Sequence, residues 1–328
     1  MNVLSLIEHD AFDHFSEDEL ERLIAGAEAT TLADGDQLFD ETEEAPGKVW
    51  AVINGGIQVY KVTQFGDFEL AVLGPGELVG ELSFLDQQER SGAARAIGDT
   101  ELVALDPAVL TPVLQADLKL NLALHWLIWK SVSKKLRGSN ALISSFFDTG
   151  GQPPPSSQLE ASDSREAYSL SMTDKRKIFE EQKLSSMEIN FLSSLSKARR
   201  LDTGEVIFRE GDSGSEMYVV VEGSVRISKR IPGVGEEALT VLERGEYFGE
   251  MALFDDMPRS ADAKANAADT VVLTISNDVL SGILNVKKVS SLRLLQNLCT
   301  MLAQRLRQAD EKLITWFMLA GGQQPGRR

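Results

Sequence analysis

The chain has 328 residues, 43% of them hydrophobic, and carries 50 Asp and Glu against 33 Lys and Arg, a net charge of −17. This length is ample for two domains of ordinary size, and so acidic a chain is repelled by the phosphates that supply most non-specific affinity for nucleic acid. The single cysteine, Cys299, excludes an intrachain disulfide framework and is typical of a reducing compartment, so we expect a cytoplasmic protein.

The first 150 residues open with a helix and continue with short strands. Glu8 and Asp10 stand where a secretory signal would need an apolar core, so no signal peptide is expected. Ser16, with Glu19 three residues later, predicts the start of a helix that runs to about Ala27. Short Val- and Ile-rich runs separated by glycines then predict a compact β domain. A helical tail follows, and its most apolar stretch, residues 118–130, is too short and interrupted to span a bilayer.

Residues 149–164 are rich in Pro, Gly and Ser and predict a linker between a first domain, 1–148, and a second domain, 165–328. Residues 165–182 predict a helix, on which Lys175-Arg-Lys177 forms a basic face. The last helix carries an apolar stripe at steps of three and four residues, which suits either the core or a two-fold dimer contact. The stripe comprises Leu295, Leu298, Leu302, Leu306, Ala309, Leu313 and Trp316.

The two halves repeat each other at an offset of 168 to 171 residues. LADGDQLFDE, from Leu32, aligns with LDTGEVIFRE, from Leu201, and LAVLGPGELVGE, from Leu70, aligns with LTVLERGEYFGE, from Leu239. Ser185 with Glu188 repeats the helix start at Ser16. The chain is therefore two copies of one domain. Their charges differ, because residues 1–150 hold 10 Lys and Arg against 25 Asp and Glu, a balance of −15, which leaves −2 for the rest.

One segment of the repeat has the residues of an anion site. VGELSFLDQQERSGAA, from Val79, and FGEMALFDDMPRSADA, from Phe248, each contain a Gly-Glu pair followed by an Arg-Ser pair nine and ten residues after the Glu. Glycine lets the backbone approach a ligand, a carboxylate accepts hydroxyl hydrogen bonds, and Arg offers a planar fork to a phosphate. The pattern indicates a site for a small phosphorylated ligand that contains a ribose.

Both segments resemble the phosphate-binding cassette of cyclic nucleotide-binding domains, which occur in catabolite-activator-type transcription factors, protein kinase regulatory subunits and gated channels. The resemblance implies an α+β, mainly β, fold: two tandem jelly-roll-like β-rolls flanked by helices, with a helical C-terminal lid. It also implies cyclic AMP as the ligand, with cyclic GMP as the alternative.

The resemblance assigns a role to each cassette residue. Arg90 and Arg259 would pair with the cyclic phosphate, Glu81 and Glu250 would accept the ribose 2′-hydroxyl, and short helices would present N–H groups to the phosphate. The alternative for each arginine is a surface ion pair with a neighbouring acid, Asp86 or Asp255. The full set of ligand-binding candidates is Gly80, Glu81, Leu82, Ser83, Arg90, Ser91, Gly249, Glu250, Met251, Ala252, Arg259 and Ser260.

Relatives cover the base with an aromatic or apolar group from the C-terminal helix. The candidates are Phe146, Phe147, Trp316 and Phe317, which could instead close the core. The first cassette has Gly92 where the second has Ala261 and lacks the proline that Pro258 supplies. With the excess negative charge, this predicts a weaker first site.

Neither catalysis nor DNA binding is expected. The three histidines show no metal-ligand spacing, no nucleophile has a base beside it, and residues after about Leu319 leave no room for a DNA-reading module. We expect a sensor without a cofactor that switches a contact with a protein effector, away from membranes. The alternatives are a kinase regulatory subunit and a scaffold that no longer binds nucleotide. The first is disfavoured because KARRL, from Lys197, lies inside the second copy, whereas an inhibitor segment would precede the first.

Overall fold

The computed structural model describes residues 6, 8–44, 47–146, 168–231, 235–255, 257–284 and 292–323. The chain forms two compact units, one of residues 1–142 with 295–328 and the other of residues 143–294. The predicted second domain, 165–328, therefore does not coincide with a compact unit. The predicted linker, 149–164, and Phe147 lie outside the described residues.

The first unit is a β-roll preceded and followed by helices. Its elements are α1 (Glu17–Ile24), β1 (Glu28–Leu32), β2 (Gln37–Phe39), β3 (Val49–Thr63), β4 (Gly66–Leu73), β5 (Leu78–Val79), α2 (Glu81–Asp86), β6 (Ala93–Leu105), α3 (Pro107–Ala116) and α4 (Leu118–Ser145). The long strand β3 lies antiparallel between β4 and β6, while β1 and β2 pair with β6 and β5 pairs with β3. Alternate residues of these strands point inward, and Trp50, Val52, Ile57 and Leu102 form part of the core.

The second unit repeats this arrangement as two four-stranded antiparallel sheets. Its elements are α5 (Met172–Glu181), α6 (Ser186–Leu195), β7 (Lys197–Leu201), β8 (Val206–Phe208), β9 (Glu216–Glu222), β10 (Val225–Ile231), β11 (Gly235–Leu242), β12 (Tyr247–Phe248), α7 (Met251–Phe254), β13 (Asp262–Ala265), β14 (Thr270–Ser276) and α8 (Asn277–Ile283). The strand orders are β11-β10-β13-β8 and β12-β9-β14-β7. Val220, Val225, Phe248 and Val272 lie in the core between them.

Both predicted helix starts are capping boxes. The Ser16 hydroxyl accepts from the Glu19 N–H at 3.3 Å, and the Glu19 carboxylate accepts from the Ser16 N–H at 2.9 Å. Ser185 and Glu188 make the same pair of bonds at 3.3 and 2.7 Å. Each box satisfies two N–H groups that the first turn leaves unpaired. Helix α1 ends at Ile24, earlier than the predicted Ala27.

The last helix, α9 (Leu292–Leu319), belongs from Leu295 onward to the first unit. Phe317 packs on Phe68 of β4 with ring centroids 4.8 Å apart, and Arg307 pairs with Asp86 at the end of α2. The predicted stripe is real, but its leucines are at most 3% exposed. The stripe is therefore used inside the chain and gives no support to a dimer contact. No described helix has the length and apolar character needed to cross a membrane.

Candidate functional site

Each cassette begins at a glycine that joins a short strand to a short helix. Gly80, between β5 and α2, has φ +85°, and Gly249, which follows β12, has φ +76°. A Cβ at Gly80 would lie 2.6 Å from Arg90 Nη1, and one at Gly249 would lie 2.7 Å from Arg259 Nη1. Both the backbone conformation and the close approach of the guanidinium therefore require glycine.

Arg90 is buried, with 4% of its surface exposed. Its Nη1 donates to the Gly80 carbonyl and its Nη2 to the Lys48 carbonyl, both at 2.9 Å. The guanidinium lies over the Phe39 ring, 4.4 Å from the centroid, and 5.1 Å from the centroid of Trp50. Arg90 is thus held by carbonyls and aromatic faces. The alternative partner, Asp86, is paired with Arg307 instead.

Arg259 has the same surroundings in the second copy. It is 5% exposed, and it donates through Nη1 to the Gly249 carbonyl and through Nη2 to the Glu216 carbonyl, the latter at 2.7 Å. Its guanidinium lies 4.2 Å from the centroid of Phe208. Phe208 stands 169 residues after Phe39, so the two copies use the same support for the arginine.

Each guanidinium group uses both Nη atoms within the protein and, in the described part of the chain, leaves Nε without a partner. Nε of Arg90 and Nε of Arg259 are buried and have no hydrogen-bond partner among the described residues. Burial lowers the pKa of both groups from the usual value, and nearby carboxylates oppose this: Glu43 and Glu81 for Arg90, and Glu250 and Glu216 for Arg259. A buried cation with an unused donor gains a charge-assisted hydrogen bond when a phosphate arrives.

The two cassette glutamates are also buried, with Glu81 1% and Glu250 2% exposed. Glu81 accepts from the Ser131 hydroxyl at 3.0 Å and forms an ion pair with Lys135, both on α4. Lys135 donates further to the Leu78 carbonyl at 2.8 Å. The Glu81 carboxylate is thereby fixed by the helix that follows the roll, where it can accept from a hydroxyl group.

Two adjoining cavities lie beside the first cassette. A narrow one, of about 50 Å³, is bounded by Gly80, Glu81, Ser83, Arg90 and Ser91, together with Leu82 and other apolar residues. The larger one, of about 530 Å³, shares Arg90 and Ser91 with it. The larger volume lies within the range of small-molecule sites. All six predicted cassette residues of the first copy thus border the small cavity, and two of them, Arg90 and Ser91, also border the larger one.

In the second copy, Met251 and Ala252 open α7 directly after Glu250 and are 7% and 6% exposed. Ser260 follows Arg259 and is half-buried. The predicted order of glycine, glutamate, short helix and arginine is present in both copies. The role of each residue toward a ligand stays a prediction.

Helix α9 contributes residues that sequence reasoning missed. Leu306 and Asp310 line the narrow cavity of the first site. The Ser139 hydroxyl donates to Asp310 Oδ1 at 2.8 Å, and Arg307 forms two bonds to Asp86, at 2.6 and 3.0 Å. Burial raises the pKa of Asp310 to about 7, although Lys61, Lys135 and Arg307 lower it. A titrating carboxyl group therefore faces the first site.

The aromatic base-lid candidates lie elsewhere or stay untested. Phe317 is 2% exposed, and its ring contacts those of Phe65 and Phe68, with centroids 6.4 and 4.8 Å away. It bounds neither of the two cavities, and its packing is that of a core residue. Trp316 and Phe146 are half-buried, and a lid role for them remains a prediction.

The aromatic residues beside the two arginines were also missed, but the sequence held a signal for them, because Phe39 and Phe208 occupy equivalent positions in the repeat. Asp310 and Arg307 carried no such signal, since their partners, Ser139 and Asp86, lie 171 and 221 residues away in the sequence.

Among the described residues, no group of His, Cys, Asp and Glu could hold a metal ion. Cys299 is fully buried, and burial raises the pKa of its thiol.

A family model described as the cyclic nucleotide-binding domain matches residues 29–117 and 198–286, more than half of the chain. Similar proteins include the Cyclic AMP receptor protein of Thermus thermophilus, 35% identical over 130 residues, which are 40% of this chain and 58% of that protein. The cAMP-dependent protein kinase regulatory subunit of Mycosarcoma maydis is 38% identical over 95 residues, which are 29% of this chain and 18% of that protein. The chain thus spans little more than half the length of the first relative and under a fifth of the second.

Among solved structures, the regulatory domain of Toxoplasma gondii PKA with cAMP covers 90% of this chain and is itself covered to 93%. It shares 18% identity with the chain, at a TM-score of 0.32.

Proposed function

The chain belongs to the cyclic nucleotide-binding domain family, and on this premise we propose that it is a non-catalytic cyclic nucleotide sensor with one ligand site in each copy. The observation that carries the proposal is the arrangement repeated in both copies, in which a buried arginine bonds to a cassette glycine at positive φ that is followed by a buried glutamate. A scaffold without ligand would gain nothing from keeping two cations buried with hydrogen bonds to backbone carbonyls only, as these are among the described residues.

Cyclic AMP is the proposed ligand, and cyclic GMP is the alternative. The names of the relatives from Thermus thermophilus and Mycosarcoma maydis refer to cyclic AMP, whereas those from Eimeria tenella and Caenorhabditis elegans are cGMP-dependent protein kinases. We further propose that the output is a contact with a protein effector and not DNA binding, because the chain is acidic. A cytoplasmic location stays a prediction.

The proposed switching element at the first site is α9. This helix places Asp310 at the cavity and holds the end of α2 through Arg307 and Asp86. A ligand that changes the position of α2 would alter the stability of this ion pair and hence of the helix. Hydrogen exchange of residues 296–319 should therefore slow or quicken on addition of cyclic AMP, and identical exchange in both states would contradict the switch.

The test of the ligand sites is calorimetric titration of the full chain with cyclic AMP and cyclic GMP. We expect two molecules per chain for the wild type and one for each of the single variants Arg90→Ala and Arg259→Ala. Removing the cation should weaken the affected site by about 2–5 kcal/mol, because the phosphate loses its buried partner.

Arg200→Ala is the matched control, since Arg200 pairs with Asp269 on the surface of the second unit, away from the cassette. It should bind as the wild type does. Unchanged affinity in folded Arg259→Ala protein would rule out the assignment of the second site, and unchanged affinity in both variants would rule out the proposed function.

A further inference from the structure

Helix α6 presents an apolar stripe to solvent on its outer face. Met187, Phe191 and Leu195 are spaced four residues apart, so they lie on one side of the helix. They are 63%, 37% and 46% exposed. The opposite face is already used by the core, where Ile189 and Leu192 are buried.

The first copy shows that the fold does not require this stripe. Helix α1 corresponds to α6 at an offset of 169 residues, and its inner residues Leu20 and Leu23 are buried like Ile189 and Leu192. Its outer positions, however, are polar. Asp18 stands where the second copy has Met187, and Arg22 where it has Phe191.

In the first copy these two outer residues form an ion pair. Arg22 Nε lies 3.3 Å from Asp18 Oδ2, and Arg22 also pairs with Asp117. Gly26 occupies the position of Leu195. The same architecture thus accommodates charges at the outer positions, so the fold does not require apolar residues there. Exposed apolar stripes of this kind mark contact surfaces.

Three cations lie around the stripe. On one flank, Arg176 of α5 bonds to the exposed Asn190 side chain, and its Nε also lies 3.9 Å from the carboxylate of Glu180 on the same helix. At the C-terminal end, Lys175 donates to the Ser196 carbonyl, and Lys197 is exposed two residues after Leu195. The one carboxylate of α6, that of Glu188, is 1% exposed and bonded to Ser185, so the outer face of this helix has no negative charge.

On the other flank the stripe borders small residues of α8. A Cβ at Gly282 of α8 would lie 3.5 Å from Phe191 Cζ, so the ring rests beside a residue without a side chain. The neighbouring Ser281 is also small and exposed. Such a surface leaves room for a second helix to approach Phe191.

We propose that the outer face of α6, defined by Met187, Phe191 and Leu195, docks an amphipathic helix of a partner protein whose apolar side chains are flanked by carboxylates. Apolar anchors at i, i+4 and i+8 suit helix-on-helix recognition, and Lys175, Arg176 and Lys197 complement an acidic rim. A second copy of this chain fits less well, because its own basic flank would meet this one.

The probe is a fluorescent helical peptide with Leu at every third and fourth position, Glu on the flanks and Ala elsewhere. A peptide with Lys in place of each Glu is its counterpart. Each peptide is titrated with the full chain, and the fluorescence anisotropy of the peptide reports binding. The Glu peptide should bind, more weakly at high salt, and the Lys peptide should show no comparable binding.

The variant Met187→Asp/Phe191→Arg carries the residues that the first copy has at these positions, so it should fold, which its melting temperature checks. It should bind the Glu peptide at least about tenfold more weakly, as expected for anchor residues. Lys197→Glu should bind it several-fold more weakly, and Val241→Thr, at an exposed apolar residue of β11, should match the wild type.

Several results would overturn the proposal. These are equal binding of the Glu peptide by the wild type and the double variant, tighter binding of the Lys peptide, or binding of neither. A further refuting result would come from sedimentation of the chain alone. If the chain self-associates and Met187→Asp/Phe191→Arg abolishes this, the surface is a dimer contact. Titrations with and without cyclic AMP keep this test separate from the sensor function, since docking on α6 does not require an occupied nucleotide site.

Discussion

Asp310→Asn tests whether a buried carboxyl group makes the first unit sensitive to pH. Asp310 is 5% exposed, lies at the first site, and has a pKa raised to about 7 by burial. The bond from the Ser139 hydroxyl to Oδ1 can be kept by an asparagine side-chain oxygen. Lys61, Lys135 and Arg307 reduce the shift without cancelling it.

The sign follows from proton binding. Between the ordinary pKa of 3.8 and about 7, the unfolded chain has released this proton while the folded chain retains it. The stability that the raised pKa provides is therefore complete below pH 3.8 and is lost as the pH rises to about 7. At about 1.4 kcal/mol per pH unit, two units between pH 5 and pH 7 amount to about 3 kcal/mol. Since asparagine does not titrate, the free energy of unfolding of Asp310→Asn should rise by that amount relative to the wild type.

Tryptophan fluorescence makes the measurement specific, because all four tryptophans, Trp50, Trp126, Trp129 and Trp316, lie in the first unit. Urea unfolding of both proteins would be followed at about pH 5 and about pH 8. Glu311→Gln, at the exposed neighbour, is the matched control and should keep a constant difference from the wild type within about 0.5 kcal/mol. The same constant difference for Asp310→Asn would refute the reasoning.

Two further predictions concern the first site. Arg307→Met should destabilise the first unit by about 3–5 kcal/mol in the same assay, because it leaves Asp86, whose side chain is 2% exposed, buried without its partner. The double variant Asp86→Asn/Arg307→Met should recover part of this stability. If it recovers none, the loss in the single variant is one of packing alone. Titration at low and high salt of Arg259→Ala, which retains the first site, and Arg90→Ala, which retains the second, should show weaker binding at the first site at low salt. The affinity of the first site should also fall less with salt, or rise, because screening reduces repulsion from the balance of −15 in residues 1–150; tighter binding at the first site at low salt would contradict the charge argument.

The sequence predicted the features that depend on local pattern. The capping boxes at Ser16 and Ser185, the strand-rich repeat and the cassettes could be read directly, because each depends on residue types at short spacing. The repeat also contains the aromatic residues that support the two arginines, since Phe39 and Phe208 are equivalent positions in the aligned segments.

Other features were decided by the tertiary structure. The apolar stripe of α9 predicts that the helix has a buried face. It does not predict which β-roll that face packs on, because leucines would pack equally well on either one. Only the folded chain brings Asp310 and Arg307 to the first cassette, more than 200 residues away from Asp86 in sequence, and buries Phe317 against Phe68. For the same reason, exposure distinguishes Met187 and Phe191 from core residues only in the structure, because helical spacing is identical for a face that packs inside and one that meets solvent.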